Sequence, residues 1–125
     1  MRLLLDTHVV LWWLANDPGL GEEARAAISD PGSAVYVSTA TVWEVSIKRA
    51  LGKLQAPSDL VRQIGLNRFE PLSMTSPHAH AAGALPRHHD DPFDRMLVAQ
   101  AMIEDLTLLT RDSRIGLYGI GVLAV

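Results

Sequence analysis

Four acidic residues stand where a carboxylate is hard to explain by solubility alone. Asp6 closes the apolar run "RLLL" (2–5), and Glu44 lies inside the helix-periodic segment "TATVWEVSIKRAL" (39–51). Asp94 opens the apolar stretch of "HHDDPFDRMLVAQAM" (88–102), and Asp112 stands two residues past "LTLLT" (106–110). Carboxylates brought together repel one another unless a cation lies among them or some keep a proton. The chemistry on offer is therefore the holding of a hard divalent cation. Oxygen donors in a chain without cysteine favour Mg²⁺ or Mn²⁺ over zinc.

The elements that must position these acids can be read from periodicity. Strands are expected over 2–5, 34–38 ("AVYVS"), 69–73, 106–110 and 121–125, from short apolar or β-branched runs bounded by turn residues. Helices are expected over 7–16, 21–29, 39–51, 57–67, 76–85 and about 92–105. Thr39 or Thr41 is available to cap the third of these, Gly52 to end it, and Pro77 and Pro92 suit first helical turns. Strands alternating with helices call for a mostly parallel sheet of four to five strands with helices on both faces, in a single domain over 1–125. Sites in such sheets form outside the carboxyl ends of the strands. Asp6, Glu44, Asp94 and Asp112 all fall near that rim.

Each acid also has an ordinary explanation. Asp91 before Pro92 is a good N-cap, and Asp94 three residues later would make a rough capping box. Glu44 and Lys48 are four apart, as in an ordinary solvent-facing ion pair; the alternative is that Glu44, on one helical face with Ile47, Lys48 and Leu51, points inward. Asp6 serves as a cap and Asp112 as a turn residue on the same terms. Four at one rim is harder to ascribe to chance.

Composition narrows the field. At 125 residues, 48% apolar and 20% charged, the chain suits one ordinary globular core. Asp6 and His8 interrupt the greasy start "MRLLLDTHVVLWWLAND", so it reads as mature structure rather than a signal peptide. No apolar run approaches the length needed to span a bilayer, and a cytoplasmic protein is expected. The net charge of −3 is not that of a protein coating nucleic acid. With the four acids set aside it turns slightly positive, so it neither demands nor forbids such a partner.

In order and spacing, "LLLDTHVVLWWL", "VSTATVWEVSIKRALGKL", "HHDDPFDRMLVAQA" and "LLTRD" resemble the PIN-domain ribonucleases, and more closely the VapC toxins of bacterial type II toxin–antitoxin modules. The resemblance runs from residue 3 to about 112. It implies a PIN-like fold and Mg²⁺-dependent endonucleolytic hydrolysis of RNA, with Mn²⁺ as a substitute. It implies that Asp6 and Asp94 are direct metal ligands, that Glu44 holds the metal or its water, and that Asp112 supports this metal or a second. Thr7 and Thr110 match small hydroxyl positions near the site, and Asp91 stays a cap. The resemblance further implies neutralisation by a cognate VapB-like antitoxin bound in a groove near the site, and a homodimer.

Two readings compete with the nuclease. A non-catalytic PIN-like module binding RNA or protein would have lost at least one acid, and none is lost. A response-regulator-like switch needs a lysine ending a later strand, and no lysine follows Lys53. Lys48, Arg49, Lys53, Arg87, Arg95, Arg111 and Arg114 are the cations available to RNA. Arg95 and Arg111, each beside a site acid, either meet substrate or offset the acids. "HAH" (78–80) and "HH" (88–89) do not put two side chains on one helical face, so zinc is not read from them. His88 and His89 adjoin the site and are placed for phosphate contact. Finally, "VVLWWLA" (9–15) is apolar all round, so Trp12 and Trp13 are either core or a surface for a partner.

Overall fold

Leu3, Leu4 and Leu5 form an unbroken apolar run because the strand that carries them is covered on both faces, and all three are fully buried. The computed structural model describes residues 1–125. The strands are β1 (Arg2–Leu5), β2 (Ala34–Ser38), β3 (Glu70–Leu72), β4 (Thr107–Thr110) and β5 (Val122–Ala124). The helices are α1 (Thr7–Leu14), α2 (Glu22–Ser29), α3 (Thr39–Ala50), α4 (Leu60–Leu66), α5 (Ser76–Ala84) and α6 (Pro92–Glu104). Two short 3₁₀ turns, Pro18–Leu20 and Ile115–Tyr118, are additions that periodicity does not announce.

The five strands make one sheet in the order β3-β2-β1-β4-β5, and every pairing is parallel. Alternation along β1 divides the interior. Leu3 and Leu5 join Val9, Val10, Val35, Val37, Val45 and Leu109 on one face, under α1 to α4. Leu4 joins Leu97, Val98, Ala101, Leu108 and Ile115 on the other, under α6. Truncating Leu4 or Leu108 to alanine is expected to cost about 2–5 kcal/mol, because these residues clamp the central strands between the layers. No helix is long and apolar enough to cross a membrane.

The order of strands fixes where a site can form. The chain leaves β1 toward β2 and β3, then crosses back to β4 on the other flank of β1. The reversal opens a crevice at the carboxyl ends of β1 and β4. Asp6 follows β1 directly, and Asp112 stands two residues past the end of β4.

Some local expectations are corrected. The α3 cap is Ser38, whose Oγ accepts from the Ala40 N–H at 3.0 Å, not Thr39 or Thr41. The hydroxyl of Thr39 instead accepts from the Met74 N–H. Helix α4 begins at Leu60 rather than 57, and Asp59 makes no side-chain cap bond there. Asp91 does cap α6, accepting from the Phe93 and Asp94 N–H groups at 2.8 and 3.1 Å. The capping box does not close, because the Asp91 N–H is given to His89 rather than to Asp94. Trp12 and Trp13 are half-buried. Trp13 packs on Phe69 and donates to Asn67, and Trp12 lies beneath the Arg111 guanidinium at 4.3 Å. The tryptophan that faces solvent is Trp43, 56% exposed and edge-on to Phe93.

Candidate functional site

Asp6 inherits its place from the sheet. Its backbone N–H continues the β1–β4 ladder to the Leu109 carbonyl at 3.1 Å, and its Oδ1 caps α1 by accepting from the Val9 N–H at 2.9 Å. The side chain is nearly enclosed. Burial pushes its pKa up, while bonds from the Thr110 hydroxyl and the Val9 N–H partly oppose the shift. Thr110 is buried at the end of β4 and gives its Oγ1 as acceptor to the Asp112 N–H. One hydroxyl thus ties the acids of two adjacent strands.

Glu44 is 5% exposed although it sits in a helix rich in polar residues. The inward reading holds, and the ion pair with Lys48 forms on a buried carboxylate rather than facing solvent. It points inward, where the buried Thr7 hydroxyl donates to Oε1, and it pairs with Lys48 through Oε2. The bond to Glu44 raises the Lys48 pKa. Asp94 occupies the first turn of α6, whose positive dipole end favours a carboxylate. Desolvation and the charge of Asp91 outweigh that help, and the Asp94 pKa is pushed up to about 7. Glu44 and Asp6 add to the push. Asp112 is the opposite case. Arg114 donates from its Nε, Nη2 and backbone N–H, and the fork holds the Asp112 carboxyl well below the usual carboxylate range.

All four acids line one cleft of about 480 Å³, together with Thr7, His8, Trp12, Lys48, Asp91, Arg111 and Arg114. The structure therefore brings together the residues that sequence singled out. It adds one that sequence left in outline. His89 is 6% exposed, and its Nε2 lies 2.8 Å from Asp112 Oδ2 and 3.1 Å from Asp94 Oδ2. Ligand atoms of His89, Asp94 and Asp112 all fall within 4.8 Å of one another. His88 is exposed and rests against Tyr118, outside this group.

The cations sort themselves. Lys48, Arg111 and Arg114 line the cleft. Arg95 neither meets the cleft nor pairs with an acid. Its guanidinium is spent on the carbonyls of Ala82, Leu85, Pro86 and His89 at 2.9–3.1 Å, which staples the 82–89 segment to α6. Arg87 pairs loosely with Asp90, and Arg49 faces a separate groove between α3 and α4. Arg111 lies flat on Trp12 and donates to the Gly19 carbonyl and to the backbone oxygen of Val125, the last residue, with no side-chain carboxylate partner.

A divalent ion fits this donor set. Two carboxyls with raised pKa values line one crevice, where Lys48 and Arg114 are committed to Glu44 and Asp112. Hard oxygen donors of this kind match Mg²⁺ or Mn²⁺.

Comparison with known proteins agrees with the geometry. The family model described as PIN domain matches residues 3–120. The chain is 29% identical over 123 residues to Ribonuclease VapC22 of Mycobacterium tuberculosis (strain ATCC 25618 / H37Rv), covering 90% of this chain and 88% of that protein. The crystal structure of VapBC2 from Rickettsia felis bound to a promoter DNA fragment superposes with a TM-score of 0.73 at 13% identity, over 100% of this chain and 99% of that one. A toxin–antitoxin complex from Klebsiella pneumoniae superposes with a TM-score of 0.68 at 20% identity, over 98% and 96%. At these identities the structural likeness is one of fold.

Proposed function

The chain belongs to the PIN-domain family, and on that premise we propose that it is a Mg²⁺-dependent endoribonuclease, the toxic component of a type II toxin–antitoxin module. The observation that carries the proposal is the convergence of Asp6, Glu44, Asp94 and Asp112 on one cleft at the switch point of the sheet. The ion, when bound, acidifies a water and screens charge developing on the phosphoryl oxygens.

The residues divide the remaining work. Asp6 and Asp94 are the direct ligands, since burial raises the pKa of both and neither is paired with a lysine or arginine. Glu44, steadied by Thr7 and Lys48, orients water or a second ion. Asp112 is saturated by its protein donors and supports the others. Arg111, with no side-chain acid of its own, and Lys48 offer positive charge to the RNA backbone. The indole beneath Arg111 keeps the guanidinium flat, at a position where it can also take a stacked base.

A VapB-like antitoxin partner is supported by the toxin–antitoxin complexes that share the fold. A basic side chain from such a partner would suit the acidic cleft. A homodimer and a cytoplasmic setting complete the reading.

The test compares RNA cleavage and growth arrest for the intact chain, Asp6→Asn and Glu44→Gln. Cleavage is expected to need Mg²⁺ or Mn²⁺ and to fall sharply in both variants. Equal cleavage in EDTA would end the metal mechanism. RNA bound but left uncut by the intact chain with Mg²⁺ present would favour the non-catalytic binding module.

A further inference from the structure

We infer that His89 is a positioning residue of this centre and not one of its ligands: its ring gives an Nε2–H to the Asp112 carboxylate and so holds that acid at the rim, beside Asp94. The inference rests on the metal-centre reading above and deepens it.

By spacing alone, the His89 ring would pass as a third ligand beside Asp94 and Asp112. The other nitrogen of the ring argues otherwise. The backbone N–H of Asp91 points at Nδ1 from 3.0 Å. A donor cannot bond a second donor, so Nδ1 carries the lone pair and Nε2 carries the hydrogen. A metal-binding nitrogen must present a lone pair, and Nε2 in this tautomer has none to present. To ligate through Nε2, the ring would move its hydrogen to Nδ1, directly against the Asp91 N–H.

The backbone that carries the ring is held in place as well. The His89 N–H donates to Tyr118 Oη at 2.9 Å, and its carbonyl accepts from Arg95 Nη1 at 3.1 Å. Tyr118 Oη donates in turn to the Pro86 carbonyl at 2.9 Å. Three parts of the chain thus fix the loop that presents the imidazole.

The consequences for the acids follow from their oxygens. Asp94 Oδ2 lies 3.1 Å from Nε2 but off the line of the N–H, which goes to Asp112. On Asp112, Oδ1 accepts from the Arg114 N–H and Nε, and Oδ2 accepts from Arg114 Nη2 and from His89. The Asp112 carboxylate has no free lone-pair direction, whereas Asp94 has a free oxygen. His89 accordingly does for Asp112 what a supporting carboxylate or carbonyl does for a ligating histidine: it fixes orientation from behind the site.

The test has two arms. In ¹⁵N-labelled protein, long-range ¹H–¹⁵N spectra of the imidazoles are recorded without metal and with Mg²⁺. His89 is expected as the Nε2–H tautomer in both. Separately, Mn²⁺ affinity is measured by EPR for His89→Gln, whose amide N–H reaches the Nε2 position, and for His89→Leu. The glutamine variant is expected to stay within a few-fold of the intact chain, and the leucine variant to weaken roughly 10–100-fold. An Nδ1–H tautomer with Mg²⁺ present overturns the inference even if His89→Leu fails to fold. Equal weakening of both folded variants, or none in either, also overturns it. An intact chain that binds no Mn²⁺ overturns the metal centre itself, and with it the inference. In that event the tautomer alone would still read Nε2–H, which separates the two failures.

Discussion

Two buried histidines in this molecule use one hydrogen-bonding device at opposite ends of α6. His78, 1% exposed, takes the Thr75 N–H on Nδ1 at 3.1 Å and reaches Glu104 with Nε2 at 3.0 Å. His89, 6% exposed, takes the Asp91 N–H on Nδ1 at 3.0 Å and reaches Asp112 and Asp94 with Nε2. The difference lies in the partners. Glu104 is a single carboxylate, 39% exposed, whose charge water can share. Asp112 takes the His89 N–H with the Asp94 carboxylate 3.1 Å from the same nitrogen, and Asp6, Glu44 and Asp91 lie around the same cleft. Burial of a histidine therefore says little about function, and the number of like charges it must bridge says much. At the far end the device joins α5 to α6, and at the rim it orders a site.

Removing one charge from each histidine's partners gives the widest contrast. Asp94→Asn is expected to lower kcat/KM for RNA on the order of a thousandfold, since a transition-state contact is lost with the ligand. Glu104→Gln should leave cleavage within about twofold and cost at most roughly 1 kcal/mol of stability, because the pair is partly solvated. Parallel kinetics and thermal melts of the two variants decide it. Equal kinetic losses would erase the distinction between the two ends.

Arg95→Met probes the loop that carries the rim histidine. It removes four bonds to main-chain carbonyls and is expected to cost roughly 1–3 kcal/mol, seen as a lower Tm in the presence and absence of Mg²⁺. An unchanged Tm would mean that the staple is not needed.

Stability against pH should show the crowding at the rim directly. The folded-state pKa of Asp94 is about 7, above the ordinary 3.8. Between those values the folded chain keeps a proton that the unfolded chain releases. This group's contribution therefore declines as pH rises from about 4 through about 7. In EDTA, Tm is expected to fall from about pH 4 through about pH 7, and Asp94→Asn should flatten the fall. Because Mg²⁺ replaces the proton, its stabilising effect should grow over the same range. A flat profile in the intact chain would contradict the assignment.

The smallest effect is expected at Arg111. Arg111→Met should weaken single-stranded RNA binding severalfold and reduce the slope of log K against log salt by about 0.7, as for the loss of one phosphate contact. An unchanged slope would confine Arg111 to holding Trp12 and the chain terminus.

Much of this was legible in the sequence, and the exceptions share a cause. The strands could be read because a parallel sheet buried on both faces demands continuous apolar runs such as Leu3–Leu4–Leu5. Asp6 and Asp112 could be read because they end two of those runs. Glu44 was ambiguous in sequence because it is both an ion-pair partner and an inward-facing acid. The role of His89 was not legible, since one of its partners lies 23 positions away and its tautomer depends on the backbone of Asp91. Arg95 looked like a site cation because it adjoins Asp94, yet its acceptors are carbonyls of a loop that folds back on α6. Ser38 was overlooked as a cap because it is also the last residue of β2. The 3₁₀ turns are too short to carry any period.

The most direct test of the account is an anomalous difference map from crystals of the chain grown with Mn²⁺. The account predicts a peak in the cleft about 2 Å from a carboxylate oxygen of both Asp6 and Asp94, with the His89 ring outside the coordination shell. A cleft without a peak, or an ion seated on His89 Nε2, would contradict it.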